Sequence, residues 1–201
     1  MPTEITEAKI LIVEGKDEVN FFTALFEHMQ LTGIQISDIG GKTNFYPRLQ
    51  ALVNLHNFSQ VNSIAIVRDA DDDPVAAAQS VRSALSRAKL AVPPNLGTRH
   101  GSNPTVAIFI MPDNTNAGML EDLCLNSVAS SPELDCVNGL MQCIEDKRLP
   151  LPLQSSKARA HAYLATQQKP DKRVGEAAAA GYWPFPNSAF SPLKQFLSSC
   201  L

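Results

Sequence analysis

Glu14, Asp69 and Asp71 are the side chains whose types and positions could do chemistry together. Glu14 closes the apolar run Ile10-Leu11-Ile12-Val13 and is followed by Gly15-Lys16-Asp17-Glu18, while Ile64-Ala65-Ile66-Val67-Arg68 runs into Asp69-Ala70-Asp71-Asp72-Asp73. A β-branched run that stops at acidic residues reads as a buried parallel strand delivering carboxylates to its C-terminal end. Open α/β sheets bind ligands outside the carboxyl ends of their strands, and carboxylates crowded there repel one another unless a divalent cation neutralises them. Hard oxygen donors suit Mg²⁺ or Mn²⁺. The histidines, His28, His56, His100 and His161, share no ligand or triad spacing, and the cysteines lack CxxC spacing, which argues against zinc. The competing reading of Asp69 to Asp73 is a solvated helix-capping run, with Glu14 on the surface.

The elements that must position these groups follow from periodicity. A helix is expected over Asp17 to Leu31, with Val19, Phe22, Leu25, Phe26 and Met29 at helical spacing and Gly33 as its stop. A strand over 34–39, a helix marked by Phe45, Leu49, Leu52, Val53 and Leu55, and a strand over 63–67 come next. Asp73 is a suitable N-cap and Pro74 a suitable first residue for a helix to about Lys89. An irregular Pro/Gly loop over 92–104 leads to a strand over 105–111 and a short helix over 120–128 that carries Glu121 and Asp122. Alternating strands and helices require a parallel sheet with right-handed crossovers, because parallel neighbours cannot be joined by tight turns. The fold class is therefore α/β: a small Rossmann-like parallel sheet of about four strands flanked by helices over 1–130. A helical C-terminal extension over 131–201, with helices at 134–144, 157–165 and 175–180, packs on it.

Bulk properties narrow the function without choosing it. The chain has 201 residues, 44% of them hydrophobic, and a formal net charge of -3, so no global attraction to a polyanion operates. Nucleic-acid contact must then rest on a local basic patch or on metal ions. The N-terminus is acidic with no basic region before an apolar stretch, and no apolar run reaches membrane-spanning length, so a cytoplasmic protein without membrane association is expected. Cys124, Cys136, Cys143 and Cys200 read as reduced core thiols, with Cys136 and Cys143 on one helix face.

At these residues the chain resembles a known family. Val13-Glu14-Gly15-Lys16-Asp17-Glu18, followed by Asp69-Ala70-Asp71, is similar to the Toprim domain of topoisomerases, bacterial primases, ribosomal-RNA maturases and OLD-family nucleases, over roughly residues 8–125. The resemblance implies Glu14, Asp69 and Asp71 as core carboxylates holding magnesium for phosphoryl transfer or strand cleavage. It implies Glu18 as the extra glutamate of the OLD-type nucleases, which use two metals, and Glu121 as a later acidic position. Asp73 is a further acidic candidate, and Lys157 corresponds to a late lysine that would stabilise charge on the scissile phosphate. Metal-dependent cleavage of a DNA or RNA phosphodiester is the implied function, with one or two Mg²⁺ or Mn²⁺ ions. OLD enzymes carry an ATPase domain, so a separately encoded ATPase is an implied partner. Two alternatives are a non-catalytic metal- and nucleotide-binding module and nucleotidyl transfer like a primase core.

Other features carry two readings each. Gly40-Gly41-Lys42-Thr43-Asn44 could cradle a phosphate through backbone N–H groups with Lys42 adding charge, or form a glycine turn with a Thr43 cap. It lacks the GxxxxGK[ST] spacing of a P-loop. Lys157 opens a helix that either returns to the site or presents a solvated face; Lys169, Lys172 and Arg173 form a local basic cluster that either touches phosphates or marks exposed helix ends. Trp183, flanked by Tyr182 and Phe185, either stacks a base or seals a small core. Tyr46, Tyr163 and Tyr182 occupy no setting for a topoisomerase nucleophile.

Overall fold

Four strands form one parallel sheet in the order β2-β1-β3-β4, where β1 is Lys9–Val13, β2 Ile34–Asp38, β3 Ser63–Asp69 and β4 Thr105–Met111. The computed structural model describes residues 4–41 and 44–201. The register sets Ile12 opposite Ser37 on one side and opposite Ile66 on the other, and Ile66 opposite Ile108. The expected strand over 63–67 runs on to Asp69, so the first aspartate of the acidic run belongs to the sheet.

Side-chain parity divides the core in two, as a period of two requires. Ile10, Ile12, Ile64, Ile66, Val106, Ile108 and Ile110 face one layer, which contains α2 (Phe45–Val53) and α3 (Pro74–Arg87). Leu11, Val13, Ala65, Val67, Ala107, Phe109 and Met111 face the other, which contains α1 (Lys16–Met29) and α4 (Leu120–Ser127). Helices on both faces explain why the strands read as unbroken apolar runs. The outer edge of β4 is covered by the irregular loop before it: the Gly97 N–H donates to Ile108 O, and His100 and Val106 exchange both backbone bonds.

The C-terminal part completes the second layer. It comprises α5 (Pro132–Asp146), α6 (Ser155–Ala165), α7 (Val174–Ala179) and α8 (Ser191–Cys200), and its Tyr163, Trp183, Phe190, Phe196 and Leu197 share one buried cluster with Phe21, Phe22 and Phe109. Trp183 is the sealing residue: it is 1% exposed, stacks on Tyr163 at 5.3 Å and donates Nε1–H to Val174 O. The periodicity reading omitted α8, although Leu193, Phe196, Leu197 and Cys200 sit at i, i+3, i+4 and i+7 behind Pro192, a pattern sufficient to place it. The cysteine reading is corrected in part. Cys124 and Cys200 are buried, but Cys136 and Cys143 are exposed, because the face of α5 that meets the core is the one carrying Leu134 and Val137.

α1 ends at Met29, where Gln30 adopts the left-handed cap conformation (φ 56°), two residues before the end expected at Leu31 and short of Gly33. Its start is gripped by α7: the Gly175 N–H donates to Asp17 Oδ1 at 2.9 Å, and a Cβ at position 175 would run into the Asp17 carbonyl oxygen. Gly175→Ala is therefore expected to destabilise the protein by about 1–3 kcal/mol, the usual cost of overpacking against backbone. Thermal melts check this, and an unchanged melting temperature would show that the two helices separate without strain. No helix among the described residues is long and apolar enough to cross a membrane.

Candidate functional site

The strand ends converge where the register demands. Ile12 lies opposite Ile66, so two residues further on Glu14 comes level with Arg68, beside the end of β3. Alternation then sends the β3 side chains apart: Arg68 goes toward α3, where its Nη1 donates to Ser80 Oγ at 2.9 Å, and Asp69 goes toward α4, where its Oδ1 accepts the Leu120 N–H at 3.0 Å. Arg68 Nε stands 3.2 Å from Glu14 Oε1, and both side chains are largely buried. Neither atom makes an aligned hydrogen bond, so the contact is an ion pair without the directional bond a guanidinium can give.

Four carboxylates, from the β1–α1 turn, α1, β3 and α4, are held toward their protonated forms. Burial is the first cause at Glu14, where Glu18 and Asp71 add to the rise and Arg68 opposes it. Asp69 is pushed well above the usual carboxylate range by burial and then by Glu14, Glu18 and Glu121, against the Leu120 N–H. Glu18 and Glu121 are raised by burial as well, and Lys157 pulls both back. Glu18 occupies the third position of α1, and its carboxylate folds back over Gly15, with Oε2 3.2 Å from where a Cβ on that glycine would stand. That return, rather than a helix beginning at Glu14, is what brings Glu18 to Glu14.

The pH dependence follows with a definite sign. Each of these groups binds its proton more tightly folded than unfolded, so its contribution to stability is full below the ordinary carboxylate value and is lost as pH rises through its raised folded value. The metal-free protein is therefore expected to melt higher at about pH 5 than at about pH 8. Burial acts upward at Asp113 too, but hydrogen bonds from Asn116 and Thr115 outweigh it and lower that carboxyl to about 2, so it stays ionised throughout. Melting curves across this range check the sign; a melting temperature that rises with pH would mean that the carboxylates are better solvated than their burial implies.

Lys157 comes from the C-terminal part to the same place. Ser156 Oγ donates to Asp122 Oδ1, and Asp122 Oδ2 accepts the Met119 N–H, so the start of α6 is tied to the start of α4. The next residue on α6 is Lys157, which faces Glu18 and Glu121. Asp122 and Ser156 were missed as candidates; a serine and an aspartate at helix starts are common caps, and nothing in their spacing pairs them. Asp71 takes a left-handed conformation (φ 51°), and its carbonyl accepts the Gly118 N–H at 2.7 Å. Beyond it opens a hollow of about 590 Å³ lined by Asp71, Asp72, Gly118, Asp122, Gln154 and Ser156.

The remaining candidates lie at the margin. Asp73 caps α3, its Oδ1 accepting the Val75 and Ala76 N–H groups at 2.9 Å, and it lines a smaller hollow with Arg68 and Asp71. Gly40 and Gly41 have positive φ, and the Gly41 N–H donates to the Glu14 carbonyl at 2.9 Å, which joins the loop to the site but takes that amide away from any phosphate. Lys42 and Thr43 lie outside the described residues, and the N-cap position of α2 is Asn44.

Among the described residues, no three Asp, Glu, His or Cys side chains stand close enough together to hold a metal ion as they are. The donor set nevertheless fits a hard dication. It is all oxygen, it is short of positive charge, and Glu14 Oε1 is buried without a hydrogen bond.

With this geometry in view, the chain can be placed among known proteins. Residues 8–201 match a family described as "Protein of unknown function (DUF3226)". The chain belongs to that family. No curated protein matches it. Among solved structures, the C-terminal region of the Burkholderia pseudomallei OLD protein is similar to this DUF3226 chain with a TM-score of 0.50 at 14% identity, over 98% of this chain and 100% of that one. The C-terminal region of the Xanthomonas campestris pv. campestris OLD protein gives a TM-score of 0.41 at 13% identity, over 89% and 95% of the two chains. At such identity the Burkholderia match is a likeness of fold. It extends through the helical C-terminal part of the DUF3226 chain, well beyond the span of the sequence resemblance.

Proposed function

We propose that this protein is a Toprim-type nuclease domain that cleaves a nucleic-acid phosphodiester with the help of Mg²⁺ or Mn²⁺. The observation that carries the reading is that Glu14, held against Arg68, and Asp69, held by the Leu120 N–H, emerge at the carboxyl end of the sheet within electrostatic reach of Glu18, Glu121 and Lys157. Two buried and two half-buried carboxylates crowded together are costly to keep charged at neutral pH unless a cation joins them. Glu14, Glu18, Asp69, Asp71 and Glu121 are the residues that would hold it, with Asp73 at the edge. A bound dication would supply positive charge to the attacking and leaving oxygens of the displacement. Asp69 is oriented for this by the Leu120 N–H, and Lys157, oriented through Ser156 and Asp122, places its ammonium on the scissile phosphate. The hollow beside Asp71 receives the nucleic-acid strand, and a separately encoded ATPase supplies control.

A second reading has an observation of its own. Arg68 already stands against Glu14, as it would in a module that binds a nucleotide or metal without turning it over. One assay separates the two: labelled single-stranded DNA, duplex DNA and RNA are incubated with the protein in Mg²⁺, Mn²⁺ or EDTA. Cleavage that disappears in EDTA and returns with metal supports the nuclease. Metal that raises the melting temperature without cleaving any of the three substrates moves the assignment to the binding module, since a ligand selective for the folded state stabilises it whether or not it is catalytic.

A further inference from the structure

We propose that Arg68 is the resident counter-cation of the carboxylate site, a positioning residue that neutralises Glu14 in the metal-free protein and competes with a divalent cation for it. This rests on the metal-binding reading above and adds a residue that the Toprim resemblance does not supply. Three observations carry it. Arg68 is only 7% exposed yet lies immediately before Asp69 in the strand, so a full positive charge is built into the floor of an acidic site. Its Nε is 3.2 Å from Glu14 Oε1, and both atoms lack aligned hydrogen bonds, so the pair is held by charge and a second cation at this carboxylate would compete with it. The guanidinium is anchored at its far end by Ser80 Oγ on α3, which leaves it a firm seat away from Glu14.

Buried charge without a partner is costly, and Arg68 and Lys157 divide the cluster between them. Arg68 serves the Glu14 end, and Lys157 serves Glu18 and Glu121. A dication approaching Glu14 must therefore work against Arg68, and Arg68 sets the affinity. An arginine whose role is purely structural would have the opposite effect, because its loss would loosen Glu14 and weaken binding.

The test is Mn²⁺ binding, read from the loss of the free-ion EPR signal, together with metal-free melts, on the full chain and on Arg68→Met, Arg68→Lys and Ser80→Ala. Arg68→Met is expected to melt lower without metal and to bind Mn²⁺ roughly tenfold more tightly, the order of effect of removing one unit charge a few ångströms away in a partly buried site. Arg68→Lys, which retains the charge, should stay within about twofold of wild type by the same reasoning. Ser80 is exposed on α3, so Ser80→Ala should fold even if Arg68→Met does not; it frees the guanidinium to follow Glu14 and should weaken Mn²⁺ binding. Wild type that binds Mn²⁺ while Arg68→Met binds it equally or less well overturns the role of Arg68 and leaves the metal site standing. Absence of Mn²⁺ binding in every variant overturns both.

Discussion

Asp69→Asn is expected to lose metal-dependent cleavage by roughly a thousandfold, the upper range for removing one preorganised contact to a transition state. The same variant should melt higher than wild type when metal is absent. The two effects have opposite signs because they arise from one cause. Asp69 is buried beside Glu14, Glu18 and Glu121, so its charge opposes folding unless a cation is bound. The amide keeps the shape and retains an Oδ1 to accept the Leu120 N–H, so the fold keeps its contact and loses only the repulsion. The gain should be about 1–3 kcal/mol, the scale of desolvating a polar group that lacks its partner, which for a chain of this size is about 2–4 °C for each kcal/mol. In saturating Mg²⁺ the order should reverse, because wild type is stabilised by the ion and the variant responds less. Paired melts and cleavage assays check this, and a variant that melts below wild type with and without metal would make Asp69 a structural residue.

Lys157→Met carries the second large effect. Cleavage should fall by roughly 10²–10³-fold while the fold is kept, since Lys157 is only half-buried and the methionine preserves most of the stem. Removing the cation that faces Glu18 and Glu121 leaves the cluster more negative, so metal binding should tighten as catalysis is lost. That separation identifies a charge acting on substrate. Ser156→Ala, which removes the bond to Asp122 but leaves the ammonium, should cost about tenfold, within the range for losing an orienting partner. Full activity in Lys157→Met would return Lys157 to the role of a solvated helix residue.

Several of these arrangements were open to reading in the residues alone, and others were not. The strands were legible because both faces of the sheet are covered, which forces unbroken apolar runs at Ile10 to Val13, Ile64 to Val67 and Val106 to Met111. The cap at Asp73 was legible because Asp-Pro at a helix start has a local cause, now seen in its bonds to Val75 and Ala76. The Arg68–Glu14 pair follows from side-chain parity, but only once the β1–β3 register is fixed, and that register is set by packing rather than by either segment alone. Asp122 with Ser156 could not have been inferred, because the two caps are joined only when α4 and α6 dock side by side.

The sequence by itself determined the parallel α/β layering and the ends at which the carboxylates emerge, because alternation and local caps act over a few residues. Tertiary structure alone decided which charges face which: that Glu14 meets Arg68 toward α3, that Asp69 turns toward α4, and that Lys157 returns from the C-terminal part to Glu18 and Glu121. Electrostatic energy depends on separation in space and on lost water, and neither quantity exists until the helices have closed over the sheet.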